Sequence, residues 1–307
     1  FKYRKNNFFS FFKFFKNNFL ILFKYFDQIK SSDFLYCNGP RLFIFCAIAS
    51  ILLKKKSNYH IHTKYNFYES LLISFISKFK STNKIIFFSK YIFNNFNKNL
   101  IFLNNKKISI IENGISEEVY NEKYKNRFVL NNHPGLLKFA ILGSLKPEKG
   151  QDIVFPLAKR FPEIDFYLIG KESKENKEWI DSIKSQKSSN IFFQSELIDI
   201  KEFIDKNHIN IFLVPSKWDE PFGLVAIEGM SLSCITIVSN KGGLVDIAKK
   251  TGALIYTKEI ELIEKINNLK SIGEKKLAEI SKNQFLRTKH FYSYKKFSEQ
   301  IRDNIIN

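Results

Sequence analysis

The sequence predicts an α/β protein with two successive parallel-sheet domains, the first of them incomplete. Three observations carry this. Short apolar runs alternate with longer periodic apolar segments in two blocks, the pattern of βαβ units. A stretch without periodicity, rich in Asn and containing Gly and Pro, separates the blocks at 113–137. The chain has 307 residues, 44% of them hydrophobic, enough for two packed cores.

The first block opens on residues 1–30, where aromatic clusters alternate with lysines (FFSFFKFFKNNFLILFKYF). Seven basic side chains there face one acidic one. Two readings stand: a helix lying on an anionic membrane surface, or a helix of the domain with one face buried. Strands are expected at 34–37, 59–62, 84–88 and 108–111, with helices at 41–53, 68–79 and 91–96. Pro40 suits a helix start, because its missing N–H would be unpaired there anyway. The helix at 41–53 is apolar nearly all round and is expected to be buried. Four strands are fewer than a full nucleotide-binding domain has, and the first residue is Phe rather than Met. Both suggest a truncated first half. The expected divisions are 1–118 for this domain, 119–137 for a linker, 138–290 for a second domain and 291–307 for a terminal helix. That helix is expected to return to the first domain, with Ser293 as N-cap and Tyr294, Phe297, Ile301 and Ile305 on one face.

The second block is cleaner. Strands are expected at 138–142, 165–169, 190–193, 209–214, 235–238 and 253–256, and a helix at 151–160. Six strands complete a doubly wound sheet.

Composition narrows the function. A net charge of +19 suits an acidic partner: an anionic membrane, a phosphate-bearing ligand or nucleic acid. A bias toward Phe, Lys, Asn and Ile on solvated faces explains the same number. No helix-turn-helix, RNA-binding aromatic motif or zinc finger is present, so no nucleic-acid partner is expected. Three scattered cysteines, Cys37, Cys46 and Cys234, point to a reducing, cytoplasmic compartment. No signal peptide is legible. The longest apolar run, 42–53, is too short to span a membrane. Neither a Walker loop, a Gly-x-Gly-x-x-Gly fingerprint nor a zinc-spaced Cys/His set occurs, so no metal and no cofactor are expected.

In an open parallel sheet, ligands bind beyond the carboxyl ends of the strands. Three loops leave those ends in the second block. The first, GSLKPEKG at 143–150, has Gly143 and Ser144 at its start and Lys149 just before a helix. A lysine at a helix N-terminus outlines a phosphate site, and an ordinary solvated turn is the competing reading. The second is PSKWDEPFGLVAIE at 215–228. Pro221 and Gly223 shape a turn that offers the backbone N–H groups of Gly223, Leu224 and Val225, after Phe222. Glu220 lies on that loop. Glu228 lies about one turn into the helix, where a carboxylate can take two hydrogen bonds from a ribose diol. The third loop carries Gly242 and Gly243 before another helix.

Together these residues resemble glycosyltransferase family 4, retaining enzymes of the GT-B fold. The family signature is Glu, seven residues, Glu, within PS-x-W-x-EPFGL-x-x-IE, matched from Pro215 to Glu228. Lys149-Gly150, Gly242-Gly243 and the junction-like IENGI at 111–115 add to it. The resemblance implies two Rossmann-like domains facing across a cleft. It implies a nucleotide-diphosphate sugar held mainly by the C-terminal one. Glu228 would bind the ribose, and Glu220 with the Phe222–Leu224 backbone the donor sugar. Lys149 would neutralise the diphosphate, and His62 would reach the sugar from the first domain. Retention is attributed in this family to front-face attack, with the leaving phosphate taking the acceptor proton. The expected acceptor is a glycan or a lipid-linked intermediate of cell-surface polysaccharide or lipopolysaccharide synthesis. Two departures stand out. Ser144 occupies a position where the family commonly has Arg, and the glycine-rich loop expected early in the first domain is missing. They favour the alternative, a GT-B-like fragment that binds nucleotide or a partner without turnover.

Overall fold

Two parallel sheets organise the chain, and each belongs to its own unit. The structure, a computed structural model, describes residues 20–21, 23–97, 103–116, 118, 137–186, 188–195 and 199–306. Most of the basic aromatic stretch at 1–30 and of the expected linker at 119–137 lies outside the described residues. One unit comprises Phe1–Ile111 with Gln300–Asn307, the other Glu112–Glu299.

The N-terminal unit runs α1 (Phe26–Ser31), β1 (Phe34–Asn38), α2 (Phe43–Leu52), β2 (Lys56–Ile61), α3 (Phe67–Ser77), β3 (Thr82–Phe87), α4 (Lys90–Asn97) and β4 (Ile108–Ile110). Its sheet order is β1-β2-β3-β4, all parallel. Each crossover steps one strand in the same direction. Right-handed connections therefore place α2, α3 and α4 on one face of the sheet. Fully buried Tyr59, Ile61, Ile85 and Phe87 form the core, with Phe43 edge-on to Tyr59 at 5.5 Å. A capping box starts α3: Asn66 Oδ1 accepts the Glu69 N–H, and the Glu69 carboxylate accepts the Asn66 N–H, each at 2.9 Å.

Two details differ from expectation. Strand β2 begins at Lys56, because polar Ser57 and Asn58 are buried inside it. Part of their hydrogen bonding is met internally: Asn83 donates to Asn58 Oδ1 at 3.1 Å and Ser57 Oγ to the Tyr59 hydroxyl at 3.2 Å, while Asn58 Nδ2 is buried without a partner. Helix α2 is not buried all round. Phe43, Cys46, Ala47 and Ala49 face the sheet, while Ile48, Ile51 and Leu52 are exposed.

The C-terminal unit runs β5 (Lys138–Leu142), α5 (Val154–Arg160), β6 (Asp165–Ile169), α6 (Lys177–Lys184), β7 (Ile191–Gln194), α7 (Ile200–Lys206) and β8 (Ile211–Val214). It continues through α8 (Leu224–Ser231), β9 (Ile235–Ser239), α9 (Gly243–Thr251), β10 (Leu254–Tyr256), α10 (Glu259–Ser271), α11 (Glu274–Tyr292) and α12 (Tyr294–Ile301). The sheet order is β10-β9-β8-β5-β6-β7, all parallel. The chain builds β6 and β7 on one side of β5, then returns to lay β8 on the other. The strand order therefore reverses between β5 and β8, which is where doubly wound sheets open a crevice. Phe139, Phe166, Ile211, Leu213, Ile235 and Ile237 fill the centre of its core, covered by Val154 and Leu157 of α5 and by Leu262 and Ile266 of α10.

The division between the units falls at Ile111 and Glu112, earlier than the expected 118. The reason is local. Glu112 takes the Lys250 ammonium, the Ile115 N–H donates to Tyr292 O at 2.8 Å, and the Tyr294 N–H donates to Ile115 O at 2.9 Å. The IENGI segment is therefore stitched to the turn between α11 and α12. Ser293 caps α12, accepting the Lys296 N–H at 3.3 Å. Tyr294 is exposed, whereas Ile305 is buried. The last residues group with the N-terminal unit, where Ser109 Oγ donates to Asn304 Oδ1 at 3.0 Å.

Candidate functional site

The loops after β5, β8 and β9 are fastened to one another by their backbones. The Lys217 and Trp218 N–H groups both point to Glu148 O, at 2.9 and 3.4 Å. Gly150 (φ +70°) lies so close that a Cβ there would stand 2.0 Å from Pro215 O. The Gly243 N–H donates to Glu220 O at 2.7 Å, and Ser239 Oγ to Ser216 O at 2.8 Å. Gly242 (φ +56°) has no room for a side chain: a Cβ would meet Glu220 O at 2.3 Å and Glu220 N at 2.6 Å. Close backbone approach, not loop flexibility, is what these glycines supply.

This fastening brings Lys149 and Glu220 together. Lys149 Nζ lies 2.7 Å from Glu220 Oε1, which also accepts from Ser216 Oγ at 2.6 Å. The Glu220 side chain is 10% exposed and that of Lys149 29%, so the pair is largely out of water. Lys149 Nζ also lies 5.3 Å from the Trp218 ring centroid. Glu220, the more buried of the two, depends most on the pair, since its carboxylate would be left desolvated without Lys149.

Glu228 is held differently. It stands on α8, whose first turn follows Gly223, and it is half-buried. Burial raises its carboxyl above the ordinary carboxylate value. Among the described residues its carboxylate has neither an ion-pair nor a hydrogen-bond partner. The ring of Phe222 is buried against Tyr292 at 5.8 Å, edge-on, and so is closed to a ligand. Leu224 is exposed and Val225 half-buried at the start of the helix, where N–H groups have no intrahelical acceptor. Gly143 opens the first loop, and Ser144 beside it is exposed. Gln151 closes that loop, donating to Gly143 O at 3.0 Å and Ser144 O at 3.2 Å.

His62 belongs to the N-terminal unit, just past the carboxyl end of β2. Its Nε2 is hydrogen-bonded to Asn38 Oδ1. Its ring lies 3.9 Å from that of His60, and burial lowers its pKa. His60 is buried deeper, bonded through Nδ1 to the Tyr36 hydroxyl at 2.7 Å. Burial, then the charge of His62, hold it down at about 4. Its Nε2 is buried without a hydrogen-bond partner. Sequence reasoning missed Tyr36, Asn38, His60 and Ser216. The available signal was the alternation His60-Ile61-His62, which puts both rings on one face of a strand. Among the described residues no group of three or more His, Cys, Asp or Glu side chains is placed to hold a metal ion. No described helix is long and apolar enough to cross a membrane.

Known proteins bear on this arrangement. An uncharacterised glycosyltransferase of Methanocaldococcus jannaschii is 31% identical over 232 residues, 73% of this chain and 57% of its own length. A protein described as lying in the cps region of Klebsiella pneumoniae is 24% identical over 132 residues, 42% of this chain and 33% of its own length. The chain thus spans less than two thirds of either relative. HepE from Anabaena, solved in complex with UDP, superposes with a TM-score of 0.80 at 19% identity, covering 93% of this chain and 81% of that one. The fold is that of the GT-B glycosyltransferases. The family described as glycosyl transferases group 1 matches residues 122–287 of the 307, a range that holds all three loops built above. The chain belongs to the group 1 glycosyl transferases.

Proposed function

We propose that this protein transfers a sugar from a nucleotide-diphosphate sugar, with a UDP-sugar as the first donor to try. It does so with retention of configuration, onto a glycan or lipid-linked acceptor of cell-surface polysaccharide or lipopolysaccharide synthesis. The observation that carries the donor reading is the set at the β5/β8 switch point: the Lys149–Glu220 pair beside an unpartnered, half-buried Glu228. The HepE complexes with UDP and with UDP-glucose support the choice of base. In this reading Glu228 takes the ribose diol. Glu220 and the backbone from Phe222 to Val225 take the sugar hydroxyls. Gly143, Ser144, Gly242 and Gly243 let the diphosphate approach the backbone.

The chemistry follows from charge. The acceptor hydroxyl attacks the anomeric carbon as the bond to the diphosphate oxygen breaks, and that oxygen takes the acceptor proton. Negative charge grows on the diphosphate. Lys149 and the free N–H groups at the start of α8 stand where they would meet it. One such preorganised donor is worth about 3 kcal/mol in the transition state. His62, held through Asn38 and kept neutral by burial, offers a hydrogen bond to the sugar rather than a charge.

The test is transfer or hydrolysis of UDP- and GDP-sugars. Glu220→Ala and Lys149→Ala are each expected to lower turnover at least about 100-fold while UDP still binds. Unchanged turnover in both would sink the reading. Because Lys149 and the helix N-terminus carry the diphosphate charge, turnover is expected to persist in EDTA; loss restored by Mg²⁺ would assign that role to a metal. Ser144, in place of the common Arg, favours one other reading: nucleotide binding without turnover, on which UDP binds and no donor is consumed.

A further inference from the structure

The outward face of the helical layer in the N-terminal unit carries exposed apolar side chains with basic side chains beside them. Helices α2 and α3 lie side by side on one face of the sheet, and Ser50 Oγ donates to Ser81 Oγ at 3.0 Å where their ends meet. On α2, Ile48, Ile51 and Leu52 are exposed; on α3, Tyr68, Leu71 and Phe75 are, with Tyr68 79% and Phe75 64% accessible. Both sets follow helical spacing and form outward stripes, positions a surface helix normally gives to polar residues. Contiguous apolar patches of this kind mark interaction sites.

The charge beside the stripes has one sign. From Arg41 to Lys80 the chain has seven basic side chains and a single acidic one, Glu69. Glu69 is committed to the capping box of α3. At the amino-terminal end of the sheet, where α2 and α3 finish, an open pocket of about 400 Å³ is lined by Lys54, Lys55, Lys56, Lys80, Ser50 and Ser81. Ile51 of the apolar stripe forms part of its wall, together with Phe79. Phe79 packs edge-on against Phe75 at 5.0 Å, so stripe and pocket are continuous. Lys107 donates to Phe79 O at 2.6 Å behind the pocket.

We infer that the α2–α3 face docks on an anionic phospholipid surface, its apolar stripes entering the headgroup–acyl boundary and its lysine pocket taking a lipid phosphate. Two features select a bilayer over an acidic protein. The exposed apolar side chains stand on two neighbouring helices of one layer rather than inside a closed cleft. Lysines flank them at the stripe ends, where flexible stems let the ammonium reach headgroups while the stem covers apolar surface. The inference does not rest on the donor site.

The experiment is co-sedimentation of the full chain with vesicles of phosphatidylcholine alone, or with about one third phosphatidylglycerol. Binding is expected only to the anionic vesicles. Each lysine near such a surface contributes about fivefold in partitioning, so Lys54→Glu/Lys80→Glu is expected to weaken binding more than tenfold. Leu71→Ser/Phe75→Ser is expected to weaken it similarly without touching the charge. These side chains are exposed, and circular-dichroism melting of each variant monitors folding independently of any ligand. Wild-type-like binding by both variants, or equal binding to neutral vesicles, would overturn the proposal. So would a lipid-free dimer that Leu71→Ser/Phe75→Ser dissociates in light scattering, which would make the face a contact between two copies.

Discussion

Glu228 and His60 show how single buried groups tie stability to function here. The Glu228 carboxylate is desolvated without a partner, so its charged form is disfavoured in the folded protein. A raised carboxyl contributes stability that is full below its unfolded value and lost as pH rises through the folded one. Where it is ionised, the desolvated side chain is a net cost that a bound diol would offset by hydrogen bonding. Glu228→Gln is therefore expected to raise the melting temperature of the unliganded protein at pH 7 by roughly 2–4 °C, for about 1 kcal/mol. The same change is expected to weaken UDP binding about tenfold or more. Calorimetry with a UDP titration checks both, and a variant that lost stability and kept affinity would contradict the role. His60 has the opposite sign. Burial and the neighbouring His62 depress it to about 4 from an ordinary 6.5. The stability of keeping it neutral is full above about pH 6.5 and lost as pH falls toward 4, amounting to about 3 kcal/mol at ~1.4 kcal/mol per unit. Melting temperature is expected to fall over this window, and His60→Gln to flatten the fall. An unchanged slope would place the titration elsewhere.

At the scale of elements, the loops after β5, β8 and β9 act as one piece because their backbones touch. Gly242 is the test of this. A Cβ at that position would overlap the Glu220 backbone, and φ of +56° with ψ of −135° is a region side chains avoid. Gly242→Ala is expected to displace the Glu220 loop, costing about 2–4 kcal/mol and most of the UDP affinity. Gly143→Ala, where nothing lies within 4 Å but φ is +146°, is expected to cost only the backbone strain, about 1–2 kcal/mol, and to leave the Glu220 loop in place. Equal effects would show that the loops are independent. The same elements show what a single sequence displays. Strands β5 and β6 were expected at their observed bounds, since unbroken runs such as FAIL and FYLI have no other use in a buried parallel sheet. The spacing of Glu220 and Glu228, just before and within α8, is written in the chain, whereas the approach of Lys149 to Glu220 across 71 residues is not. The start of β2 was hidden, because buried Ser57 and Asn58 look like a loop until their partners are known. Helices α6 and α10 were hidden as well, with few buried positions in polar stretches. The Asn38–His62 and Tyr36–His60 contacts depend on strand register, with Asn38 opposite His60, and register across 22 residues is a tertiary fact.

At the scale of the molecule, sequence order and structural membership part company at the C-terminus. Helix α11 packs on α8 and α9, which carry Glu228 and Gly243, so it braces the donor side. The residues after Glu299 belong with the other unit. There Asn304 accepts from Ser109 on β4, and Ile305 is buried. Burying an isoleucine contributes about 1.5–3 kcal/mol and a hydrogen bond about 1 kcal/mol more. Ending the chain after Glu299 therefore removes several kcal/mol from the unit whose four-stranded sheet has the smaller core. None of the three loops at the switch point is touched. UDP at about 100 times its dissociation constant stabilises the unit it binds by roughly 2.7 kcal/mol. The expected outcome is a truncated protein in which hydrogen exchange speeds up in β3, β4 and α2, while UDP still protects α8 and the loop at Glu220. Loss of UDP protection would mean that the terminal segment supports the donor side instead. Unchanged exchange in β4 would mean that Asn304 and Ile305 contribute nothing to the sheet they cover.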